Sequence, residues 1–288
     1  MATLVGGITT SHVPAIGRAI AQGLQDEPYW KPFFDGFVPV RRWLHDTARP
    51  DVVVVIYNDH GLNFFLDKMP TFAVGAAPEY LNADEGWGIP QVPAFRGEQD
   101  LSWHLIESLV ADEFDLTTCQ EMVVDHAFTL PMALLWPDQA WPVRVVPVCI
   151  NTVQLPLPSA RRCHALGEAI GRAVRAWRAD QRVLVLGTGG LSHQLDGPRA
   201  GFINKAFDLR FMDSLVTEPR WATQYSTHEL VEHAGTQGVE LLMWLATRAA
   251  LGEQVREVHR NYHIPISNTA SGLMVLEPVA AQTALHPA

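Results

Sequence analysis

Three histidines follow three strongly apolar stretches of the sequence. The stretch GGITTSH ends in His12, VVVVIYNDH ends in His60, and VLVLGTGGLSH ends in His193. Ligands of open α/β sheets bind in the crevice beyond the carboxyl ends of the strands. One histidine after a strand is usually a hydrogen-bonded turn residue, but three in the same topological place favour a shared metal or catalytic site. We therefore expect these side chains to converge, although they are far apart in the chain.

Imidazoles without cysteines suit a borderline divalent metal, and one carboxylate would complete a set of two histidines and one acid. That set leaves three positions of an octahedral ion open, as in non-haem Fe(II) oxygenases, which bind both a substrate and dioxygen. Glu240 is a candidate because it is the ionisable residue in the otherwise apolar segment GVELLMWL. The alternative is a first-turn glutamate stabilised by the helix dipole. Spacing alone does not decide between the two.

Two other motifs resemble binding sites but lack the required spacing. His228 and His233 of HELVEH are five residues apart. On a helix they would point about 140° away from each other, whereas a zinc-protease helix needs them four apart. The segment GTGG at 187–190 lacks the continuation of both the dinucleotide and the P-loop motifs. Its glycines are expected to let the backbone approach a bound ligand closely.

Short apolar stretches alternate with segments of helical period along the chain. The predicted strands are Thr3–Thr10, Val52–Tyr57, Val143–Ile150, Val183–Gly187 and Gly272–Leu276. The predicted helices cover 100–114, 159–177 and 239–251, where apolar residues recur on one face or all round. This alternation predicts an α/β fold with a central, mostly parallel sheet flanked by helices. The site is expected at the carboxyl ends of the strands.

The segment 61–99 differs from the rest of the chain. It is rich in glycine and proline and has no sustained period. A loop of that length in a compact domain is usually functional or a binding surface. Because no linker or repeat divides the chain, we expect one catalytic domain, residues 1–288, with a large loop insertion at about 61–99.

The composition argues against several classes of function. Hydrophobic residues make up 48% of the chain, which is enough for a substantial core. A net charge of −10 without a basic cluster makes nucleic acid and anionic membranes poor partners. Three cysteines without CxxC or CxxH spacing predict neither a disulfide framework nor a thiolate zinc site. With no basic signal region and no apolar run of ~18 residues, we expect a cytoplasmic protein.

Six motifs occur in an order and at a spacing that resemble a known family. They are TSHVPAIG (10–17), YNDH (57–60), ADEGWG (83–88), GTGGLSHQLDGPRAG (187–201), GVELLMWL (238–245) and YHIPISNTASGLMVLEP (262–278). Together they make the chain, from residue 4 to 278, similar to the β subunits of protocatechuate 4,5-dioxygenases. These are class III extradiol ring-cleaving enzymes.

The resemblance implies an Fe(II) centre. It assigns the metal to His12, His60 and Glu240, and it makes His193 the acid/base residue of the site. These four positions carry the residue types that the family requires.

The resemblance also implies further site residues. Asn58 and His126 would be additional polar catalytic residues, and Ser267 and Asn268 would lie near the carboxylate of the substrate. Hydroxyl and amide groups can donate hydrogen bonds to a carboxylate, and such an anchor discriminates against an analogue that lacks it. Without the matched context, His126 would be an ordinary core or turn histidine.

The implied activity is extradiol cleavage of protocatechuate by dioxygen to 4-carboxy-2-hydroxymuconate semialdehyde, in the degradation of lignin-derived aromatic compounds. The family pairs this subunit with a small helical α subunit on a separate chain, in an α2β2 assembly. Related gallate enzymes carry that part fused, so a chain without it favours protocatechuate, with gallate and 3-O-methylgallate as alternatives. Alternatives of other classes are a zinc hydrolase with the same histidines and glutamate and a non-catalytic subunit.

Overall fold

One large β-sheet forms the centre of the structure, a computed structural model that describes residues 1–86, 88–266 and 268–279. The strands of the described chain are β1 (Thr3–Thr10), β2 (Val52–Tyr57), β3 (Phe72–Gly75), β4 (Glu79–Asn82), β5 (Phe95–Arg96), β6 (Thr117–Cys119), β7 (Val123–Val124), β8 (Arg144–Ile150), β9 (Arg182–Thr188), β10 (Val255–Ile266) and β11 (Thr269–Pro278). Its helices are α1 (Pro14–Ala21), α2 (Lys31–Asp35), α3 (Phe37–Trp43), α4 (Gln99–Ala111), α5 (His126–Leu135), α6 (Ala160–Ala176), α7 (Lys205–Thr217), α8 (Thr227–Ala234) and α9 (Leu241–Ala250).

Eight strands of the described chain form the main sheet, in the order β10-β11-β1-β9-β2-β8-β3-β6, and β5-β4-β7 form a small second sheet. Strands β1, β9, β2 and β8 are parallel, whereas β11 is antiparallel to β1 and β3 is antiparallel to β8. The predicted α/β fold with helices around a central sheet is confirmed. The expectation of a mostly parallel sheet is wrong, because the sheet is mixed. The connection between β10 and β11 is short, and a short connection between paired strands permits only an antiparallel arrangement.

Strand β2 is buried along its whole length because both faces of the sheet are covered. Val52, Val54 and Ile56 belong to the core on one face, and the residues between them belong to the core on the other. Successive side chains of a strand point to opposite faces, so a strand covered on both sides has a continuous apolar sequence. The polar residues after Tyr57 therefore lie at the carboxyl edge of the sheet.

The predicted strands and helices are confirmed to within a few residues at their ends. Strand β10 was not predicted, because its alternation of charged and polar residues lacks the apolar run of the central strands. In α8, His228 is exposed and His233 stacks on Phe207, so these two histidines serve no common site. None of the helices in the described residues combines the length and the apolarity needed to cross a bilayer.

The segment 61–99 contains more regular structure than its composition predicts. It includes β3, which belongs to the main sheet, and β4 and β5 of the small sheet. Turns at glycine and proline interrupt these short strands, so no period is long enough to be recognised in the sequence. The expected loop insertion is therefore a set of short strands joined by loops, and β4 pairs with β7 just before α5.

Two glycines bring α6 and α9 into close contact. Gly167 and Gly171 are one helical turn apart, and a Cβ atom added at these positions would lie 2.0 and 2.1 Å from the carbonyl oxygens of Ala246 and Ala250, respectively. The absence of a side chain thus allows the two backbones to approach. The contact holds α9 against the sheet, and α9 follows directly on Glu240.

Replacing Gly171 by alanine is expected to destabilise the protein, because the new methyl group overlaps a backbone carbonyl that cannot rotate away. Overpacking of this kind costs about 1 to 3 kcal/mol, against a gain of about 1 kcal/mol in helix propensity. Gly17→Ala in α1 is the matched control, since its Cβ atom would meet only side-chain atoms of Leu130 and Ile89, at 3.0 and 3.3 Å. Urea unfolding compares the two, and a Gly171→Ala protein as stable as Gly17→Ala would contradict this account.

Candidate metal and catalytic site

Two strand-end histidines and one buried glutamate meet at the carboxyl edge of the parallel strands. His12 follows β1 and His60 follows β2, and these strands flank β9 in the sheet. Glu240 approaches from the 3-10 turn Gly238–Glu240 before α9. Its Oε2 lies 3.5 Å from His12 Nε2, and its Oε1 lies 3.7 Å from His60 Nε2. The structure thus brings together the three side chains that the resemblance assigns to a metal.

Separations of 3.5 and 3.7 Å are at or beyond the limit of hydrogen bonding and are close to those of atoms that share a metal ion. Ligand atoms about 2.1 Å from one ion are about 3.0 to 3.5 Å apart at octahedral to tetrahedral angles. His12 Nε2 is buried and has no hydrogen-bond partner among the described residues, which is costly unless something binds it. Two imidazole nitrogens and one carboxylate oxygen form a donor set that suits divalent iron or zinc.

His126, at the start of α5, adds a third imidazole to this group. Its ring centroid lies 5.4 Å from that of His12 and 4.2 Å from that of His60. The three rings each offer a nitrogen, and these nitrogens lie within 4.8 Å of one another. Burial and the neighbouring His60 lower the pKa of His126, which favours its neutral form. His126 thus lies beside His12 and His60.

Two of the three imidazoles are held through Nδ1 by buried carboxylates. His60 Nδ1 donates to Asp125 Oδ2 at 2.9 Å, and His126 Nδ1 donates to Glu85 Oε2 at 2.5 Å. An ionised carboxylate only accepts hydrogen bonds, so in each neutral ring Nδ1 carries the proton and Nε2 keeps its lone pair. In the neutral rings the Nε2 atoms are therefore suited to bind a metal, which displaces any proton that Nε2 carries.

A hydroxyl group contacts the third imidazole, since His12 Nδ1 lies 3.1 Å from Thr188 Oγ1; this contact restrains the ring without fixing its tautomer. Thr188, Asp125 and Glu85 are not among the site residues predicted from the sequence. The signals were present, because Glu85 belongs to the ADEGWG motif, Thr188 to GTGG, and Asp125 directly precedes His126. Each of them, however, contacts a histidine 41 to 176 residues away, and spacing does not reveal such a pairing.

Burial and close neighbours together set the charges of the cluster. Burial lowers the pKa of His60, but Asp125 and Glu240 outweigh this effect and raise that pKa to about 10. Burial raises the pKa of Asp125, yet the adjacent His60 lowers it to about 2. The pKa of Glu240 lies well below its usual range despite burial, because His12 and His60 are next to it. The carboxylates stay ionised, so the site stabilises positive charge between them.

Glycines after β9 allow Glu240 to reach the site. Gly189 has a φ of 114°, and a Cβ atom there would lie 2.6 Å from Glu240 Cβ. The Gly190 N–H donates to Glu240 Oε2 at 3.0 Å. Asn58 Nδ2 donates to Glu240 Oε1 at 3.3 Å and lies 3.2 Å from His60 Nε2. The glycines of GTGG, expected to admit a ligand, thus admit this carboxylate, and Asn58 lies within the cluster.

His193 lies on the loop after β9, beside the backbone of the turn that carries Glu240. Its carbonyl oxygen accepts a hydrogen bond from the Gly238 N–H at 3.1 Å. Its Nδ1 donates to the carbonyl oxygen of Asn268 at 3.0 Å, and Thr269 Oγ1 is 2.6 Å from the same nitrogen. A carbonyl only accepts, so Nδ1 carries the proton and Nε2 keeps the lone pair that a base requires.

The two residues expected to bind a substrate carboxylate lie in the turn between β10 and β11. Asn268 is exposed, has a φ of 62°, and contacts His193 through its backbone. Ser267 lies outside the described residues. The structure therefore brings one of these two predicted residues next to His193.

Asp208, a buried carboxylate in α7, anchors the loop that carries His193. Its Oδ1 accepts hydrogen bonds from the backbone N–H and the hydroxyl group of Ser192, at 3.0 and 2.7 Å. Its Oδ2 accepts one from the Tyr262 hydroxyl at 2.8 Å. Burial raises the pKa of Asp208 to about 6, although the hydrogen bonds from Ser192 and Tyr262 oppose this rise.

The stability that depends on Asp208 is expected to fall as the pH rises from about 4 to about 6. The folded protein binds the Asp208 proton more tightly than the unfolded chain, whose pKa is near 3.8. The loss therefore begins above the unfolded pKa and is complete above the folded one.

Asp208→Asn cannot titrate, so the free energy of unfolding of the wild type minus that of the variant should decrease over this interval. The decrease is expected to be roughly 2 to 3 kcal/mol. Urea unfolding at several pH values measures it, and a difference that stays constant or increases with pH would contradict the role assigned to Asp208.

Comparison with known proteins identifies a family match over nearly the whole chain. A family model described as the catalytic LigB subunit of aromatic ring-opening dioxygenase matches residues 6–272. This range contains the three imidazoles and the glutamate of the cluster, together with His193.

Two curated relatives show the extent of the similarity. A gallate dioxygenase from Pseudomonas putida is 40% identical over 196 residues, which are 68% of this chain and 57% of that protein. A 2,3-dihydroxyphenylpropionate/2,3-dihydroxicinnamic acid 1,2-dioxygenase from Photorhabdus laumondii is 35% identical over 195 residues, 67% of this chain and 57% of that protein. In both comparisons the chain spans 57% of the length of the relative.

A solved structure shares the fold. An uncharacterized protein from Escherichia coli superposes with a TM-score of 0.59 over 94% of this chain and 99% of that one. The two sequences are 12% identical, so this similarity concerns the architecture alone.

Proposed function

We propose that this chain, which belongs to the family of catalytic LigB subunits of aromatic ring-opening dioxygenases, opens the ring of a dihydroxylated aromatic acid with dioxygen at an Fe(II) centre. The resemblance to the class III extradiol enzymes is confirmed at the level of the family. The observation that carries the proposal is the meeting of His12, His60 and Glu240 at the carboxyl edge of the sheet.

When bound, Fe(II) supplies neighbouring open positions for the two adjacent hydroxyl groups and for dioxygen, and it lowers the pKa of the hydroxyls. His193 accepts at Nε2 the proton that a hydroxyl loses, and it can later return that proton to a developing oxygen anion. The Asn268 carbonyl keeps the His193 ring in the tautomer that this transfer requires. The side chain of His193 is buried, which limits the access of bulk water to the proton.

Gallate is the substrate that we propose first, ahead of protocatechuate. The gallate dioxygenase of Pseudomonas putida is 40% identical to this chain over 196 residues, which supports gallate directly. The relative from Photorhabdus laumondii is named for 2,3-dihydroxyphenylpropionate and 2,3-dihydroxicinnamic acid, again aromatic acids with two adjacent hydroxyls. Protocatechuate, the expectation from the sequence, has less support, and 3-O-methylgallate is a further candidate.

We also propose that a small helical subunit covers the site, in an α2β2 assembly. Large apolar side chains are exposed on the loops that follow the carboxyl ends of β9, β2 and β8, which are adjacent in the sheet. They are Phe65, Leu66, Val153, Leu155 and Leu195. Exposed apolar groups on one side of a protein are typical of interaction surfaces, which supports a partner at this edge.

The protein loaded anaerobically with Fe(II) is expected to consume dioxygen with gallate, and more slowly with protocatechuate. His12→Ala, His60→Ala and Glu240→Ala each remove one ligand and should lower the affinity for iron at least about tenfold. His193→Ala should retain iron but lose about 10²- to 10⁴-fold in turnover. His45→Ala, which removes an exposed imidazole, is the matched control and should change neither quantity.

Iron analysis and oxygen uptake are measured on the same samples. Full iron content in all three ligand variants would contradict the assignment of the metal site. Ester or amide hydrolysis that requires zinc, without oxygen uptake on any of the aromatic acids, would instead favour the zinc hydrolase.

Asn268→Gly is expected to raise KM for gallate more than for pyrogallol, which has the same hydroxyls but no carboxylate. Loss of a hydrogen bond to a charged group corresponds to about a 10- to 100-fold change. Glycine is preferred to alanine because residue 268 has a φ of 62°, and it leaves the backbone contact with His193 in place. Steady-state kinetics on the two substrates provide the measurement, and equal changes in both KM values would show that Asn268 does not bind the carboxylate.

A further inference from the structure

Glu85 holds His126 by two hydrogen bonds. Its Oε1 accepts from the backbone N–H of His126 at 2.6 Å, and its Oε2 accepts from Nδ1 at 2.5 Å. Both side chains are only 6% exposed. Asp125 holds His60 similarly, because its Oδ2 accepts from the backbone N–H at 2.8 Å and from Nδ1 at 2.9 Å. A carboxylate that binds the backbone and the ring of one residue fixes both the position and the rotation of that ring.

These contacts favour an orienting role for Glu85 over a second metal site. Ligand atoms of Glu85, Asp125 and His126 lie within 4.8 Å of one another. All four carboxylate oxygens, however, already accept hydrogen bonds from N–H groups, since Asp125 Oδ1 accepts from the Ala127 N–H at 3.0 Å. In addition, His126 Nδ1 donates its proton to Glu85 and so has no lone pair to offer a cation there.

Glu85 belongs to a loop that closes on itself, here called the strap (residues 82–86 and 88–92). The side chain of Asn82 donates to the Val92 carbonyl and accepts from the Val92 N–H, both at 2.9 Å. Gln91 Nε2 donates to the Ala83 carbonyl at 3.1 Å. The Ala83 N–H joins the strap to β7 at 2.8 Å, just before α5. The strap therefore has a fixed base from which it presents one carboxylate to the first residue of α5.

We propose that Glu85 is the positioning residue of His126, through which the strap determines the direction and the tautomer of that imidazole. With Nδ1–H bound to Glu85, Nε2 keeps its lone pair, and the ring centroid lies 4.2 and 5.4 Å from those of His60 and His12. There Nε2 can accept a hydrogen bond from a hydroxyl group of an aromatic substrate. This part in turnover rests on the proposed function, whereas the contact between Glu85 and His126 does not.

Nitrogen NMR of the imidazoles in the zinc-loaded protein reports the tautomer without any turnover. In the wild type, His126 should carry its proton on Nδ1. In Glu85→Gln one donor of His126 must face the amide NH₂ group, because an amide has one acceptor atom where the carboxylate has two. The Nδ1–H signature of His126 should therefore be lost or mixed, while that of His60, held by Asp125, stays. An unchanged His126 signal would overturn the proposal.

Glu79→Gln is the matched control, because Glu79 is an exposed glutamate in the same segment of the chain. It should leave the His126 signal, the iron content and the rate of oxygen uptake as in the wild type. If Glu85→Gln does not fold, Glu85→Asp takes its place. That variant keeps the charge, but its shorter side chain cannot reach both donors of His126. The His126 NMR signal is then expected to change as in Glu85→Gln, and an unchanged signal would again overturn the proposal.

Kinetics of the iron-loaded protein test whether Glu85 acts through His126. Glu85→Gln should retain iron but lose about 10- to 100-fold in kcat, as is typical of residues that orient site histidines. In His126→Ala the additional change Glu85→Gln should cost nothing further, because the ring is gone and the glutamine oxygen can still accept from the backbone N–H. Losses that add would contradict the positioning role. If the wild type consumes no dioxygen with any aromatic acid, the proposed function fails, and the NMR result still decides the role of Glu85.

Discussion

The candidate site depends on hydrogen bonds to Nδ1 of several imidazoles at the carboxyl edge of the sheet, because these bonds leave Nε2 available for other contacts. The outer partners are chemically different: a hydroxyl for His12, a carboxylate each for His60 and His126, and a carbonyl for His193. An imidazole without such a partner can rotate about a broad torsion and can exchange tautomers. A hydrogen bond to Nδ1 restrains the rotation, and a partner that can only accept also fixes the tautomer and makes Nε2 a better ligand or base.

The same cluster concentrates negative charge away from water. Asp125, Glu85 and Glu240 have buried side chains, and Glu240 lies between two imidazoles. A buried carboxylate is stable only when hydrogen bonds or a positive charge compensate its lost hydration. For Asp125 and Glu85 the compensation comes from N–H groups. Glu240 accepts two hydrogen bonds, and its Oε2 and Oε1 also lie 3.5 and 3.7 Å from Nε2 of His12 and His60, so it is the carboxylate suited to share a cation with these rings.

The parallel and the antiparallel strands of the mixed sheet position different residues of the candidate site. Its parallel centre gives His12, His60 and His193 a common edge, because the carboxyl ends of parallel strands coincide. The antiparallel pair β10 and β11 brings Asn268 back to the same edge. Helix α9 aligns Glu240, and close packing of α6 against α9 through glycine fixes that alignment.

The sequence by itself predicted the central strands of the sheet and three of the helices, and the resemblance named the histidines and the glutamate that meet at the edge of that sheet. Apolar runs such as Val52–Tyr57 need no partner to be recognised, because burial on both faces leaves a local pattern. The contacts of Asp125 with His60 and of Glu85 with His126 were decided only by the tertiary structure, since they join residues 65 and 41 positions apart. The orientation of the edge strands was likewise not predicted, because the polar sequence of β10 has no apolar run to mark it. Local periodicity indicates which side of an element is buried. Which elements become neighbours depends on how the whole chain buries its apolar surface. The hydrogen-bond partners of the site histidines follow from that packing.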